Sequence, residues 1–537
     1  MHFYIRRNPP DEGLGSHVPD ISGTLLARYG ARVMKKSDPL CATTGAQPPS
    51  AAYRTDVLRV PHAVDRDVVE RTLADINLTL AGAGPNGVVR LAARDAGKPA
   101  TVDAWYALWH LRRVAADEPA GALSGAVRDP NPVALERLLF LGLDPAPWDS
   151  HGFDPAPWDS HGVDAAPWDS HGKDFYLRSA RGGPVPVSMS VRPPRPRRVV
   201  AGSGFDRRPV IAVLDTGISG HEWFGTTGRQ EGLPPDGFIR ALDDVQEAIT
   251  ASSMAAGSGP RVIEDHWDND LPANPLTGEF DRHTGHGTFI AGIIRQVAPD
   301  SQVAVARVMA GDGVAYESDV LAALDQLVRR VQAAQAPGGD PADMIDILSI
   351  SIGYYCETIE DEAETTEFAR LLGLLSDLGV LIVAAAGNNA TTRPFFPAAL
   401  ATTPPQGGGQ PVLSVGALNP NGTKAFFSNQ APWVHAWATG AAVVSTFPKL
   451  KGSTGPSNAI RELDRESMDP DDYTSGFAMW HGTSFAGPHA AAELANKLVE
   501  HADADPGEMR MGLVSREAML ARAQRAVEAC TTCEPVR

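Results

Sequence analysis

The sequence predicts an α/β protein in which a doubly wound parallel sheet fills the second half of the chain, behind a small α+β unit and a repeat-containing linker. Three observations predict it. Short apolar runs at 210–214, 303–308, 345–352, 380–385 and 412–415 read as strands buried on both faces. Between them, residues 318–334 put Val320, Leu321, Leu324, Leu327, Val328 and Val331 on one helical face, and 368–378 repeat the pattern before Gly379 ends it. The first run closes on Asp215-Thr216-Gly217, an acid at the carboxyl end of a strand, where open α/β sheets place their chemistry.

Residues 1–52 hold few periodic apolar positions and several turn signals, and are assigned to an arm or linker. From 53 to 143 the texture is that of a small α+β unit: strands at 57–60 and 88–91, and helices at 67–80 and 102–113. The linker, 144–203, opens with Asp144-Pro-Ala-Pro-Trp-Asp-Ser-His-Gly152, which recurs at a period of ten residues from Asp154 and, with Ala165 in place of Pro, from Asp164. So short a unit, rich in Pro, Asp and Gly, cannot build a core. It reads as a semi-extended spacer, as a docking or substrate motif carried by Trp148, Trp158 and Trp168, or as a metal site. Residues 173–208 are basic and Pro-rich, and a self-cutting enzyme would be expected to cut here. The main domain spans 204–529, and 530–537 form a tail.

The 537 residues carry a net charge of −18, which excludes a general nucleic-acid binder, since phosphate contacts need clustered Lys and Arg. No run of eighteen apolar residues predicts a membrane span. Nor does an apolar stretch of signal-peptide length follow the first charges, so a cytoplasmic protein is expected. Four cysteines, with one CxxC at Cys530 and Cys533, lack the second pair of a structural zinc site.

The chemistry gathers in two further stretches. His481-Gly-Thr-Ser484-Phe-Ala-Gly-Pro488-His489 presents a serine at the mouth of an Ala-rich helix. There the free N–H groups of the first turn and the helix dipole favour the negative charge of a reacting carbonyl. Pro488 suits a first turn, where a missing N–H costs nothing. Gly285-His286-Gly287-Thr288 puts a histidine at the start of another helix. Acid, base and nucleophile thus occur in the order Asp, His, Ser.

These three motifs, with Val383-Ala384-Ala385-Ala386-Gly387-Asn388-Asn389, resemble the subtilisin-like serine proteases, the subtilase family. The resemblance implies that Ser484 is the nucleophile, His286 the general base and acid, and Asp215 the group that orients the imidazole. It also implies an oxyanion hole from the Asn388 amide and the Ser484 N–H. Peptide substrate would lie as an added strand along Ser351, Ile352, Gly353 and along Ala384, Ala385, Ala386 and Gly387. Phe289 and Phe485 stand where the family often has His and Met. No cofactor is required by this chemistry. The insertion 236–282, with its acidic centre at 264–270, is read as a solvated loop, with calcium as the other use for its carboxylates. The α+β unit is a prosegment of the family's kind or a module that recognises a partner. A serine endopeptidase is the function expected; the competing reading is a scaffold, or a dedicated peptide processor, working through the repeats.

Overall fold

The computed structural model describes residues 3–6, 21–45, 51–128 apart from 83, 85 and 86, 132–141, 183–200, 205–226, 232–233, 237–255, 262–268, 280–355, 366–451, 461–467, 469 and 472–532. The decapeptide repeats, Cys356, Cys533 and the acidic run 357–364 lie outside the described residues. In chain order the strands include β1 (Phe3–Arg6), β2 (Tyr53–Arg59), β3 (Leu78–Ala81), β4 (Val88–Ala93), β5 (Ala134–Leu141), β6 (Val210–Asp215), β7 (Ile239–Ala241), β8 (Gln302–Arg307), β9 (Val314–Tyr316), β10 (Ile347–Ile350), β11 (Ile352–Tyr355), β12 (Leu381–Ala385), β13 (Leu413–Leu418), β14 (Ala436–Thr439) and β15 (Thr531–Thr532). The helices include α1 (Arg66–Ala74), α2 (Ala104–Asp117), α3 (Asp243–Ala255), α4 (His286–Val297), α5 (Glu317–Gln335), α6 (Thr366–Asp377), α7 (Thr483–Ala504) and α8 (Arg516–Cys530).

The apolar runs assemble into a nine-stranded sheet ordered β15-β1-β14-β13-β12-β10-β6-β8-β7. Every pairing from β14 to β7 is parallel. Side chains alternate across it: Val210, Ala212 and Leu214 join the cluster under α3, α5 and α6, while Ile211 and Val213 join the one under α4, α7 and α8. A sheet covered on both faces needs strands that are apolar throughout, and each fully buried Val, Leu or Ile contributes about 1.5–3 kcal/mol. Among the described residues, no helix is long and apolar enough to cross a membrane.

Residues 3–6, assigned to an arm by the sequence, are instead a strand of this sheet. Phe3, Tyr4 and Ile5 pair antiparallel with Ala438, Trp437 and Ala436, and Ile5 and Arg6 pair in parallel with Thr531 and Thr532. Four residues are too few for a hydrophobic period to register. The segment 183–200, assigned to the linker, also lies on the main body: Val185 and Pro186 pair with Met479 and Ala478, and the N–H groups of Arg197 and Arg198 donate to Asp300.

The N-terminal unit runs β2-α1-β3-β4-α2-β5, with sheet order β5-β2-β4-β3. The helix expected to reach Leu80 stops at Ala74, because Asn77 takes a left-handed φ of 59° and the chain then alternates, with Leu78 and Leu80 buried. The sequence also leaves β5 unread. Its Glu136 and Arg137 interrupt the apolar run, yet both are fully buried. Only its first half belongs to the unit, where Ala134, Leu135 and Arg137 pair with β2. Its second half runs on between two strands of the main body: Leu138, Leu139 and Phe140 pair antiparallel with β9, and Phe140 and Leu141 with β11.

Candidate active site

Asp215 ends β6 at the carboxyl edge of the sheet, and His286 opens α4 beside it. Gly285, the N-cap of α4, has a φ of 83°, and a Cβ there would stand 2.4 Å from Pro448 Cδ; no other residue makes this turn without strain. The turn brings His286 Nδ1 to 2.8 Å from Asp215 Oδ1, with both side chains buried. The same oxygen accepts the Thr216 N–H at 2.7 Å. This hydrogen bond assigns the proton of the neutral imidazole to Nδ1, leaving Nε2 as the basic nitrogen.

Ser484 is the second residue of α7, in the turn whose N–H groups have no intrahelical acceptor. Pro488 is not in that first turn but inside the helix. Its missing N–H would otherwise bond the Ser484 carbonyl, four residues back. The Ser351 hydroxyl donates to that carbonyl instead, at 3.3 Å.

A relay of hydrogen bonds orients Asn388. The Gly387 N–H donates to the Thr483 hydroxyl at 3.0 Å, and that hydroxyl donates to Asn388 Oδ1 at 2.8 Å, as does the Thr483 N–H. With its oxygen committed to the start of α7, the amide turns its NH₂ the other way. It lies 3.6 Å from where a Cβ on Gly482 would stand. Gly387 itself has a φ of 97°, and a Cβ would meet Asn429 Nδ2 at 2.5 Å. Behind the loop, Asn429 Nδ2 donates to the Ala386 carbonyl and the Tyr355 hydroxyl at 2.7 and 2.8 Å, and Tyr355 donates to Asn389 at 2.8 Å.

Rings wall the imidazole. Trp480 meets His286 edge-on at 5.5 Å and Phe485 lies tilted at 5.1 Å. Phe289 and Phe485, the two departures from the family pattern, touch each other at 4.5 Å between centroids and both touch Trp480. Each therefore fills space that the other shapes. His481, next to the serine loop, is pushed down to about 4 by burial, and its Nδ1 accepts the Ala442 N–H at 2.8 Å. It is neutral at physiological pH.

Of the other predicted residues, Ile352 and Gly353 meet Leu141 and Phe140. Ala384 and Ala385 are the last two residues of β12, paired with Ser414 and Val415, and Ala384 lies in the core. The acidic centre of the insertion is not simply solvated: Asp268 is buried and accepts from the Thr216 hydroxyl at 3.1 Å and the Gly285 N–H at 2.6 Å, tying the turn after Asp215 to the turn before His286. Among the described residues, no three His, Cys, Asp or Glu side chains gather where they could share a metal ion. Sequence reasoning missed Thr483, Asp268, Asn429 and Trp480. Thr483 lies within the serine motif and Asp268 within the acidic centre 264–270, read there as a solvated loop or calcium site, but nothing local marks Asn429 or Trp480.

Residues 206–526 match the subtilase family, peptidase S8, and the chain belongs to that family. An extracellular basic protease of Dichelobacter nodosus is 28% identical over 301 residues, which are 53% of this chain and 42% of that protein. The chain thus spans less than half the length of this curated relative. Among solved structures, a cold-adapted subtilisin-like serine proteinase is 20% identical, covering 62% of this chain and 86% of that one at a TM-score of 0.33. A mutant of the protease domain of PatA is 18% identical, covering 59% and 95%, also at 0.33.

Proposed function

We propose that this chain is a serine endopeptidase acting on protein or peptide substrates, and that its own N-terminal unit occupies the substrate groove. The Asp215–His286 hydrogen bond at the mouth of the Ser484 helix carries the first part. In this mechanism His286 Nε2 takes the Ser484 proton as Oγ attacks the scissile carbonyl, and Asp215 steadies the imidazolium through Nδ1. The Asn388 NH₂ and the Ser484 N–H hold the oxyanion. The collapsing tetrahedral intermediate expels the amine, which takes the proton from His286. Water then hydrolyses the acyl-enzyme by the same steps.

The register of β5 carries the second part. An extended substrate adds a strand to sheet edges, and Leu138–Leu141 fill such a place between β9 and β11, with the Leu141 N–H donating to the Gly313 carbonyl at 2.9 Å. Ile352 and Gly353, the residues expected to receive substrate, are the ones β5 pairs with. This supports the prosegment reading of residues 53–143 over a free recognition module. It also favours a self-cut just beyond Leu141 over one within 173–208, since β5 ends at Leu141 and Val185 and Pro186 are paired with the main body.

Labelling with a fluorophosphonate, followed by mass spectrometry, tests the chemistry. The expected adduct is on Ser484 and absent from Ser484→Ala; an adduct elsewhere, or one that survives the substitution, contradicts it.

A further inference from the structure

The N-terminal unit is fastened to the main body at a second place, far from the groove along the chain. Strand β1 precedes the unit, yet it lies inside the nine-stranded sheet rather than at its edge, between β14 and β15. It buries Tyr4 in the cluster on one face and Ile5 in the cluster on the other. It holds backbone pairings on both sides, with residues 436–438 and 531–532. Among the described residues, β15 reaches the sheet only through β1. Strand β1 is therefore a structural part of the main body, although it lies on the N-terminal side of every bond between the unit and residue 183.

We propose that β1 makes the N-terminal unit a tethered occupant of the groove, so that a cut between the unit and the main body yields a two-chain protein rather than a free inhibitor. The partner that the sheet binds is the N-terminal fragment of this same chain, by strand insertion. The regulatory consequence rests on the reading of β5 as the groove's occupant, while the tether rests on the pairings and burial of β1; the bonds of the N-terminal side to Asp312, Glu317 and Ser318 are present in both cut forms. After such a cut the unit re-enters the groove from a tether, so its local concentration does not fall on dilution. One cut does not free the groove by dilution; a second, between β1 and the unit, does.

The test uses the full chain with Ser484→Ala, to prevent self-cutting, and a recognition sequence for a site-specific endopeptidase inserted among the repeats. A second version carries a further recognition sequence between residues 8 and 18. After complete cutting, both are followed by native mass spectrometry and gel filtration on dilution. The singly cut chain is expected to keep its two fragments together at concentrations at least tenfold below those at which the doubly cut chain loses its unit. Loss at the same concentration overturns the proposal. Tyr4→Asp with Ile5→Asp in the singly cut chain is expected to release the whole N-terminal fragment, and the doubly cut version decides the matter whether or not that variant folds.

The same cut chains with Ser484 intact separate the two readings. A retained fragment with a fully open groove, seen as peptide hydrolysis equal to that of the released form, keeps the tether and removes the occupant. A fragment lost on dilution with a matching rise in hydrolysis keeps the occupant and removes the tether.

Discussion

The Thr483 hydroxyl does two jobs in the site: it accepts the Gly387 N–H and, with the Thr483 N–H, donates to Asn388 Oδ1. Thr483→Val keeps the shape and deletes both bonds, leaving a buried N–H unsatisfied at a cost of about 1–3 kcal/mol. Steady-state kinetics on a peptide should show kcat falling with KM little changed. Asn388→Ala should lower kcat by about 10²–10³-fold, the loss known for one oxyanion donor in subtilisin itself. An unchanged kcat in both variants would remove Asn388 from the oxyanion hole. The Phe289–Phe485 contact predicts coupling: Phe289→His and Phe485→Met should each destabilise the fold, and the double variant should depart from additivity by about 0.5–1.5 kcal/mol in urea unfolding. Asp215, His286, Ser484 and Asn388 were legible in the sequence because each stands within a motif of adjacent residues. Asp268 and Trp480 were not, because each reaches its partner through the fold: Asp268 acts on Gly285 and Thr216, and Trp480 lies across from His286.

Among the elements, α5 gets its N-terminal cap from outside its own domain. Its N-cap residue, Tyr316, makes no side-chain cap hydrogen bond, and Glu136 of β5 accepts from the Ser318 N–H and hydroxyl at 3.2 and 2.7 Å. Arg137 donates to both Glu317 oxygens at 3.2 and 3.3 Å, and Arg59 adds a bond at 3.4 Å. Asp319 lies in the same buried seam. Burial first, and after it the charge of Glu136, pushes it from 3.8 up to about 8, against the Ser252 hydroxyl and Arg54, which pull it down. Burial also raises Glu136. For an acid with a raised folded pKa, the native state holds a proton that the unfolded chain has lost. The stabilisation from Asp319 is therefore complete below pH 3.8, declines as pH rises and is gone above about 8. Urea midpoints should fall between pH 5 and pH 8, and the fall should be smaller in Asp319→Asn; equal slopes would contradict this origin. Five of the main-sheet strands were readable because burial on both faces leaves long apolar runs. Strand β5 was not, because its charged pair finds its partners near residue 317, some 180 positions away.

At the scale of the molecule, two sheets meet along one strand. The last four residues of β5 belong to the N-terminal unit by sequence and to the main body by pairing, and backbone pairing over such distances leaves no local signature. Five strands of the parallel sheet and the order of its motifs could be read from the chain; β7, β14 and the contact between its halves could not. Leu139 and Leu141 pack into the main core there, and on the function proposed above that contact would hold the peptidase latent. The most direct measurement is the rate of hydrolysis of an unstructured fluorogenic peptide by full-length protein carrying Leu139→Asp and Leu141→Asp, beside wild type and Ser484→Ala. Burying two carboxylates in that core is unfavourable, so the strand should leave the groove and hydrolysis should rise at least tenfold over uncut wild type, with none in Ser484→Ala. A rate unchanged from wild type, with the fold intact by circular dichroism, would contradict the claim that β5 occupies the groove.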